Sequence, residues 1–177
     1  MFVSHNKIIL SSVILMLIFT IGCSEIQQNK DYKISEVNTI NIIGSVGRAV
    51  AVPNEINRIA CLFAPVGHIL EMLDEGDKIV AVSNGFTRDV FLQKLCPNIK
   101  DAKVVKGGGH FNIEEMLGTK PDLILLGLES YDKATAKKLD KFAIPYMVID
   151  FTSIKEQQEV IMTMATIFGK ETQGKRY

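Results

Sequence analysis

The chain has 177 residues, enough for one domain and hardly a second. Twenty acidic residues balance twenty lysines and arginines, which excludes the basic face that a nucleic-acid binder turns toward phosphates.

The first segment is not part of the fold. Lys7 gives a positive start, and Ile8 to Ile21 is an uncharged apolar run of signal-sequence length, too short for a comfortable transmembrane helix. A single N-terminal anchor helix is the alternative. The run ends in Thr20-Ile21-Gly22-Cys23, which resembles a bacterial lipobox, although leucine is commoner where Thr20 stands. The resemblance implies a signal peptide over residues 1–22 and lipidation of Cys23. The product would be held at the cell envelope by its acyl chains, facing the periplasm or the extracellular side. Residues 23–37 are polar with few large apolar side chains and suit a flexible tether.

Asn38 to Pro53 alternates short apolar stretches around Gly44-Ser45-Val46-Gly47-Arg48 and predicts a β-hairpin. The pattern then changes to apolar strand, turn and amphipathic helix, repeated. Strands are expected over Arg58–Phe63, Lys78–Ser83, a short Lys103–Val105, Asp122–Leu128 and Pro145–Asp150. Helices are expected over Gly67–Leu73, Arg88–Leu95, Ile113–Thr119, Asp132–Phe142 and Ser153–Gly169. Strands apolar along their whole length are buried on both faces, and helices between them make parallel crossovers, so the fold class is α/β with an open parallel sheet. Cys61, inside an apolar run, reads as a small buried hydrophobe; a Cys61–Cys96 disulfide is the alternative.

In such a sheet the loops leaving the carboxyl ends of the strands line the ligand crevice, which gathers residues 63–68, 83–88, 107–112 and 128–133 at one edge. Gly107-Gly108-Gly109 is not a phosphate loop, because no lysine and hydroxyl follow it, and it does not follow the first strand as a dinucleotide fingerprint should. His68 and His110 each lack a second histidine or cysteine at ligand spacing, so no dedicated metal site is expected. No nucleophile elbow is present and neither thiol has an activating histidine nearby, so no catalytic residue is assigned. Asn112 and Glu115 have the spacing of a capping box, with Phe111 placed to staple onto Met116. Glu114 is left without a local task, on a first helical turn where the dipole favours a carboxylate.

Gly76-Asp77-Lys78-Ile79-Val80-Ala81-Val82-Ser83-Asn84 and Asn112-Ile113-Glu114-Glu115-Met116-Leu117-Gly118-Thr119-Lys120-Pro121-Asp122-Leu123-Ile124 are the most specific parts of a wider resemblance. From Asn38 to Gly169 the sequence resembles the N-terminal lobe of substrate-binding proteins of ABC importers for iron-siderophore, haem and cobalamin. The resemblance implies a Rossmann-like lobe over residues 38–152. Residues 153–177 would be the long helix that crosses to a second lobe, with ligand held between the lobes and no catalysis or cofactor. It also implies that Glu114 is the acidic residue that docks on the ABC permease; a surface glutamate favoured only by the dipole is the alternative. Ligand contacts are implied at Phe63, Pro65, Phe86, Arg88, His110 and Tyr131, for a metal chelate or corrinoid. His68 stands where an acidic or hydroxyl residue is expected, and Gly107–Gly109 where some relatives carry an aromatic. The sequence stops after the crossing helix, so the expectation is a truncated or split gene product, with a separately encoded C-terminal lobe as a partner. The apolar face of that helix must then fold back on this lobe or remain as a sticky surface. A membrane-anchored interaction domain that does not transport ligand is the competing reading, and an enzyme has only fold-level analogy behind it.

Overall fold

In a computed structural model of the chain, the described residues are 38–107 and 110–177; the expected signal segment, Cys23 and tether lie outside them, as does Gly108. The hairpin is formed by β1 (Thr39–Ile43) and β2 (Ala49–Pro53), paired antiparallel from Thr39↔Pro53 to Ile43↔Ala49. Then follow β3 (Ile59–Cys61), α1 (Ala64–Met72), β4 (Ile79–Ser83), α2 (Asn84–Arg88), α3 (Val90–Leu95) and β5 (Lys103–Gly107). The remainder is β6 (His110–Phe111), α4 (Ile113–Gly118), β7 (Leu123–Gly127), α5 (Lys133–Leu139), β8 (Tyr146–Ile149), α6 (Ile154–Ile167) and α7 (Glu171–Gly174).

The main sheet has the order β6-β5-β4-β3-β7-β8, parallel from β5 to β8 with β6 antiparallel at the margin. The chain steps from β3 outward to β5, then returns to lay β7 and β8 on the other side, so the direction of winding reverses between β3 and β7. Strand pleating sends alternate residues to opposite faces. Ile59, Cys61, Leu123, Leu125, Met147 and Ile149 join a core with Val66 and Leu70 of α1 and Leu92 of α3. Ala60, Ile124, Leu126 and Val148 join a second core with Met116 of α4 and Leu139 of α5. The α/β class, the parallel sheet and the separate hairpin are therefore as expected.

Several local expectations need correction. Helix α1 starts at Ala64 rather than Gly67, because Pro65 is preorganised for a first helical turn. The helix expected over Arg88–Leu95 is two helices, interrupted at Asp89 (φ −85°, ψ 87°), whose carboxylate accepts the Leu92 N–H at 2.9 Å. That carboxylate also lies 2.6 Å from His68 Nε2, so His68 has a structural partner that sequence distance concealed. The Asn112 cap forms, with Oδ1 accepting the Glu115 N–H at 3.0 Å, but the Glu115 carboxylate lies 3.6 Å from Lys103 Nζ instead of completing the box. The full capping box is at α6, where Ser153 and Glu156 bond reciprocally. Cys61 and Cys96 are free thiols, both buried.

Helix α6 folds back on this lobe. Ile161, Met164, Ala165 and Ile167 are buried in the same core as Met147 and Ile149, while residues 154–159 are exposed. Charge locks its far end: Lys170 Nζ lies 2.9 Å from Glu75 Oε1 and Lys78 Nζ 2.7 Å from Glu75 Oε2, with the Glu75 side chain only 6% exposed. Gln173 Nε2 donates to the Met72 carbonyl at 2.8 Å and to Asp74 Oδ2 at 2.9 Å. The hairpin is fastened along the β8 margin of the sheet. The Ser45 N–H donates to the Val148 carbonyl at 3.0 Å, and Arg48 Nη1 donates to the Tyr146 carbonyl at 3.2 Å. The Arg48 guanidinium also lies 3.9 Å from the Tyr146 ring centroid and 3.2 Å from Asp140 Oδ1, which accepts the Tyr146 hydroxyl at 2.8 Å.

Candidate functional site

Where winding reverses, the loops after β3 and β7 leave toward opposite faces and open a crevice at the carboxyl ends of the strands. A concavity of about 300 Å³ lies there, lined among others by Phe63, Pro65, Asn84, Arg88, Lys106 and Glu129. A larger one of about 790 Å³ adjoins it, shares Asn84, Lys106 and Gly107, and extends past Ile113 and Glu114 to Lys138 and Phe142.

Of the six residues expected to contact ligand, Phe63, Pro65 and Arg88 line the smaller concavity. Phe63 is half-buried, with its ring 5.7 Å from that of Phe151 and tilted to it, so it forms a braced apolar wall. Arg88 is exposed at the end of α2. Phe86 is not at the crevice surface: it is fully buried against α1, where Gly67 leaves the space that any Cβ would fill. Tyr131 is half-buried beside the crevice, but its ring packs toward Tyr146 at 6.3 Å. The backbone of His110 pairs with Gly107 in β6, and its side chain lies outside the described residues. Glu114 is exposed on the first turn of α4, at the same end of the sheet as the crevice, with no ion pair among the described residues.

The crevice floor holds a polar group that sequence reading missed. Lys106 Nζ lies 3.0 Å from Glu129 Oε1 and also bonds Ser130 Oγ, which donates to Glu129 Oε1 at 2.9 Å. Burial alone would raise the Glu129 carboxyl, but the Lys106 ammonium and the Ser130 hydroxyl outweigh it and hold the group below its ordinary value. The available signal was that both residues fall at the carboxyl ends of strands; their contact across separate crossovers is not readable from spacing.

Neither thiol is poised for chemistry. Burial pushes Cys61 up to about 12, and burial followed by the neighbouring Glu71 carboxylate pushes Cys96 up to about 11, so both stay protonated at neutral pH. Among the described residues no three histidine, cysteine or carboxylate side chains gather as a metal site. The arrangement offers an apolar wall, two cations and one carboxylate around an open hollow, which suits holding a solute.

Comparison with known proteins gives the family and the fold. The profile of a family described as periplasmic binding protein matches residues 59–177. A periplasmic solute binding protein from Veillonella parvula superposes with a TM-score of 0.67 at 25% identity, covering 78% of this chain and 44% of that one. A molybdate-bound periplasmic binding protein of a Haemophilus influenzae ABC transporter gives 0.66 at 21% identity, covering 77% and 48%. Staphylococcus aureus SirA complexed with staphyloferrin B gives 0.62 at 22% identity, covering 78% and 45%. The last two, at that identity, speak for the fold alone. The chain spans less than half the length of these solved relatives. No curated protein matches it.

Proposed function

Because the chain belongs to the periplasmic binding protein family, we propose that it is the solute-binding lobe of an ABC importer and captures an iron complex, as siderophore or haem, or a cobalamin-like ligand. The observation that carries this reading is the crevice at the winding reversal, where Phe63, Pro65 and Arg88 line one concavity with Lys106. Phe63 supplies a flat apolar contact and Arg88 a forked donor for an acid group. Tyr131 and His110 flank this region, whereas Phe86 acts from beneath by supporting the loop that carries Arg88.

Two further parts belong to the reading. Cys23 carries the lipid anchor that keeps the protein at the envelope, and Glu114, exposed at the crevice end of the lobe, docks on the permease. A lobe of this kind closes on its ligand together with a second lobe. A docking domain that grips no ligand is the second reading: the second half of α6 is buried in this lobe's own core, so that half needs no further cover.

The reading is tested by quenching of tyrosine fluorescence, which is unobstructed because the chain has no tryptophan. Haem, ferric siderophores and cobinamide are titrated in turn. Saturable quenching by one of them, weakened in Arg88→Ala, is expected; no response to any of the three refutes ligand capture. Glu114→Arg should abolish co-purification with the permease; unchanged association counts against the docking role.

A further inference from the structure

The lysine on the crevice floor is held in a way that its neighbours are not. Lys106 belongs to β5 and its side chain is only 17% exposed, whereas Glu129 is 55% exposed and sits on the short 3-10 turn after β7. Glu129 reaches the lysine by folding back over Gly127, where any Cβ would occupy the space of the carboxylate. A hydroxyl from Ser130 and a carboxylate thus converge on one ammonium. Arg88 lines the same concavity and has no carboxylate partner among the described residues.

We propose that Lys106 is the anion anchor of the crevice and Glu129 its resident counter-ion, displaced when a ligand presents a carboxylate or other oxyanion. With Arg88 at the rim, the crevice takes ligands that carry acid groups, as a carboxylate-bearing iron chelate does. The proposal rests on the reading that this crevice binds solute. Its physical basis is an exchange between like bonds. A half-buried ammonium needs an anionic partner, and charge-assisted bonds to carboxylates are among the stronger ones available. Glu129, on an exposed turn, is hydrated when it moves away, and the incoming anion takes its place on the ammonium. An acidic ligand therefore substitutes one carboxylate for another, while a neutral ligand has nothing to exchange. Lys106 also stands where the two concavities meet, so the acid group is directed to their junction.

The test is calorimetric titration of the full chain and of Glu129→Gln, Lys106→Met and Lys106→Arg with ferric citrate, molybdate and a neutral ferric hydroxamate. Glu129→Gln is expected to bind ferric citrate about tenfold tighter than wild type, Lys106→Met about tenfold weaker, and Lys106→Arg within a few-fold. The neutral chelate should be indifferent to all three substitutions. Tightening with molybdate as well assigns the anchor to oxyanions in general, and tightening with ferric citrate alone assigns it to organic acids; both support the proposal. Equal affinity of wild type and Glu129→Gln for ferric citrate, or binding of the neutral chelate alone, overturns the exchange and leaves solute binding in the crevice intact. Failure of all four proteins to bind any of the probes overturns the anchor, and solute binding falls with it if haem and cobinamide also give no quenching.

Discussion

Two lysine–glutamate pairs of nearly equal length stand in opposite regions of this lobe. Lys170 and Glu75 meet at 2.9 Å under the end of α6, with the carboxylate side chain 6% exposed. Lys106 and Glu129 meet at 3.0 Å in the crevice, with the carboxylate 55% exposed. Distance does not separate them; solvent does. A buried carboxylate stripped of its cation is left charged in a poor solvent, whereas an exposed one is taken up by water. The first pair is therefore part of the fold, and the second is free to exchange.

The largest effect should come from the buried pair. Lys170→Met is expected to cost about 3 kcal/mol, at the low end for a broken buried pair because Lys78 remains 2.7 Å from the other Glu75 oxygen. The denaturant midpoint measures it, and a Glu75→Leu, Lys170→Met double substitution should recover part of the loss. Next is Ser153→Ala, which removes half the capping box that begins α6 and should cost about 1 kcal/mol on the same scale. Glu129→Gln should cost no more than about 1 kcal/mol, because the carboxylate is solvated and Ser130 stays on the ammonium; a loss comparable to that of Lys170→Met would erase the distinction between the two regions. The smallest effect is a pH dependence. The Leu92 N–H, followed by His68, holds Asp89 below the ordinary carboxylate value. The stabilisation is therefore present above the unfolded value of about 4 and is lost as pH falls through the lower folded value. Asp89→Asn should accordingly flatten the acid side of the stability profile measured by thermal melting below pH ~4, so that acidification costs the variant less stability than it costs the wild type.

These contrasts also explain what could be read in the sequence. Runs such as Leu123–Gly127 are apolar on both faces of a strand, and the alternation of such runs with helices dictates a parallel sheet. The Asn112 cap was legible because its partner lies three residues away. Phe86 was misread because a glycine-containing loop before an arginine looks like a crevice rim, and only the space at Gly67, far back in the chain, draws its ring inward. The His68–Asp89 contact spans 21 residues, and the Lys106–Glu129 contact joins two separate crossovers. Local chemistry was legible where cause and effect lie within a turn of chain. Contacts that decide which polar groups share the crevice are set by packing at a distance.

The hairpin has a consequence for how this lobe meets other chains. β8 is a margin of the main sheet, and its carbonyls at Tyr146 and Val148 point away from β7. Both are already taken, one by the Arg48 guanidinium and the other by the Ser45 N–H. A margin with its acceptors spoken for is a poor template for an incoming strand. Strand addition is disfavoured at this border, which guards against edge-to-edge stacking of copies and leaves recognition there to side chains.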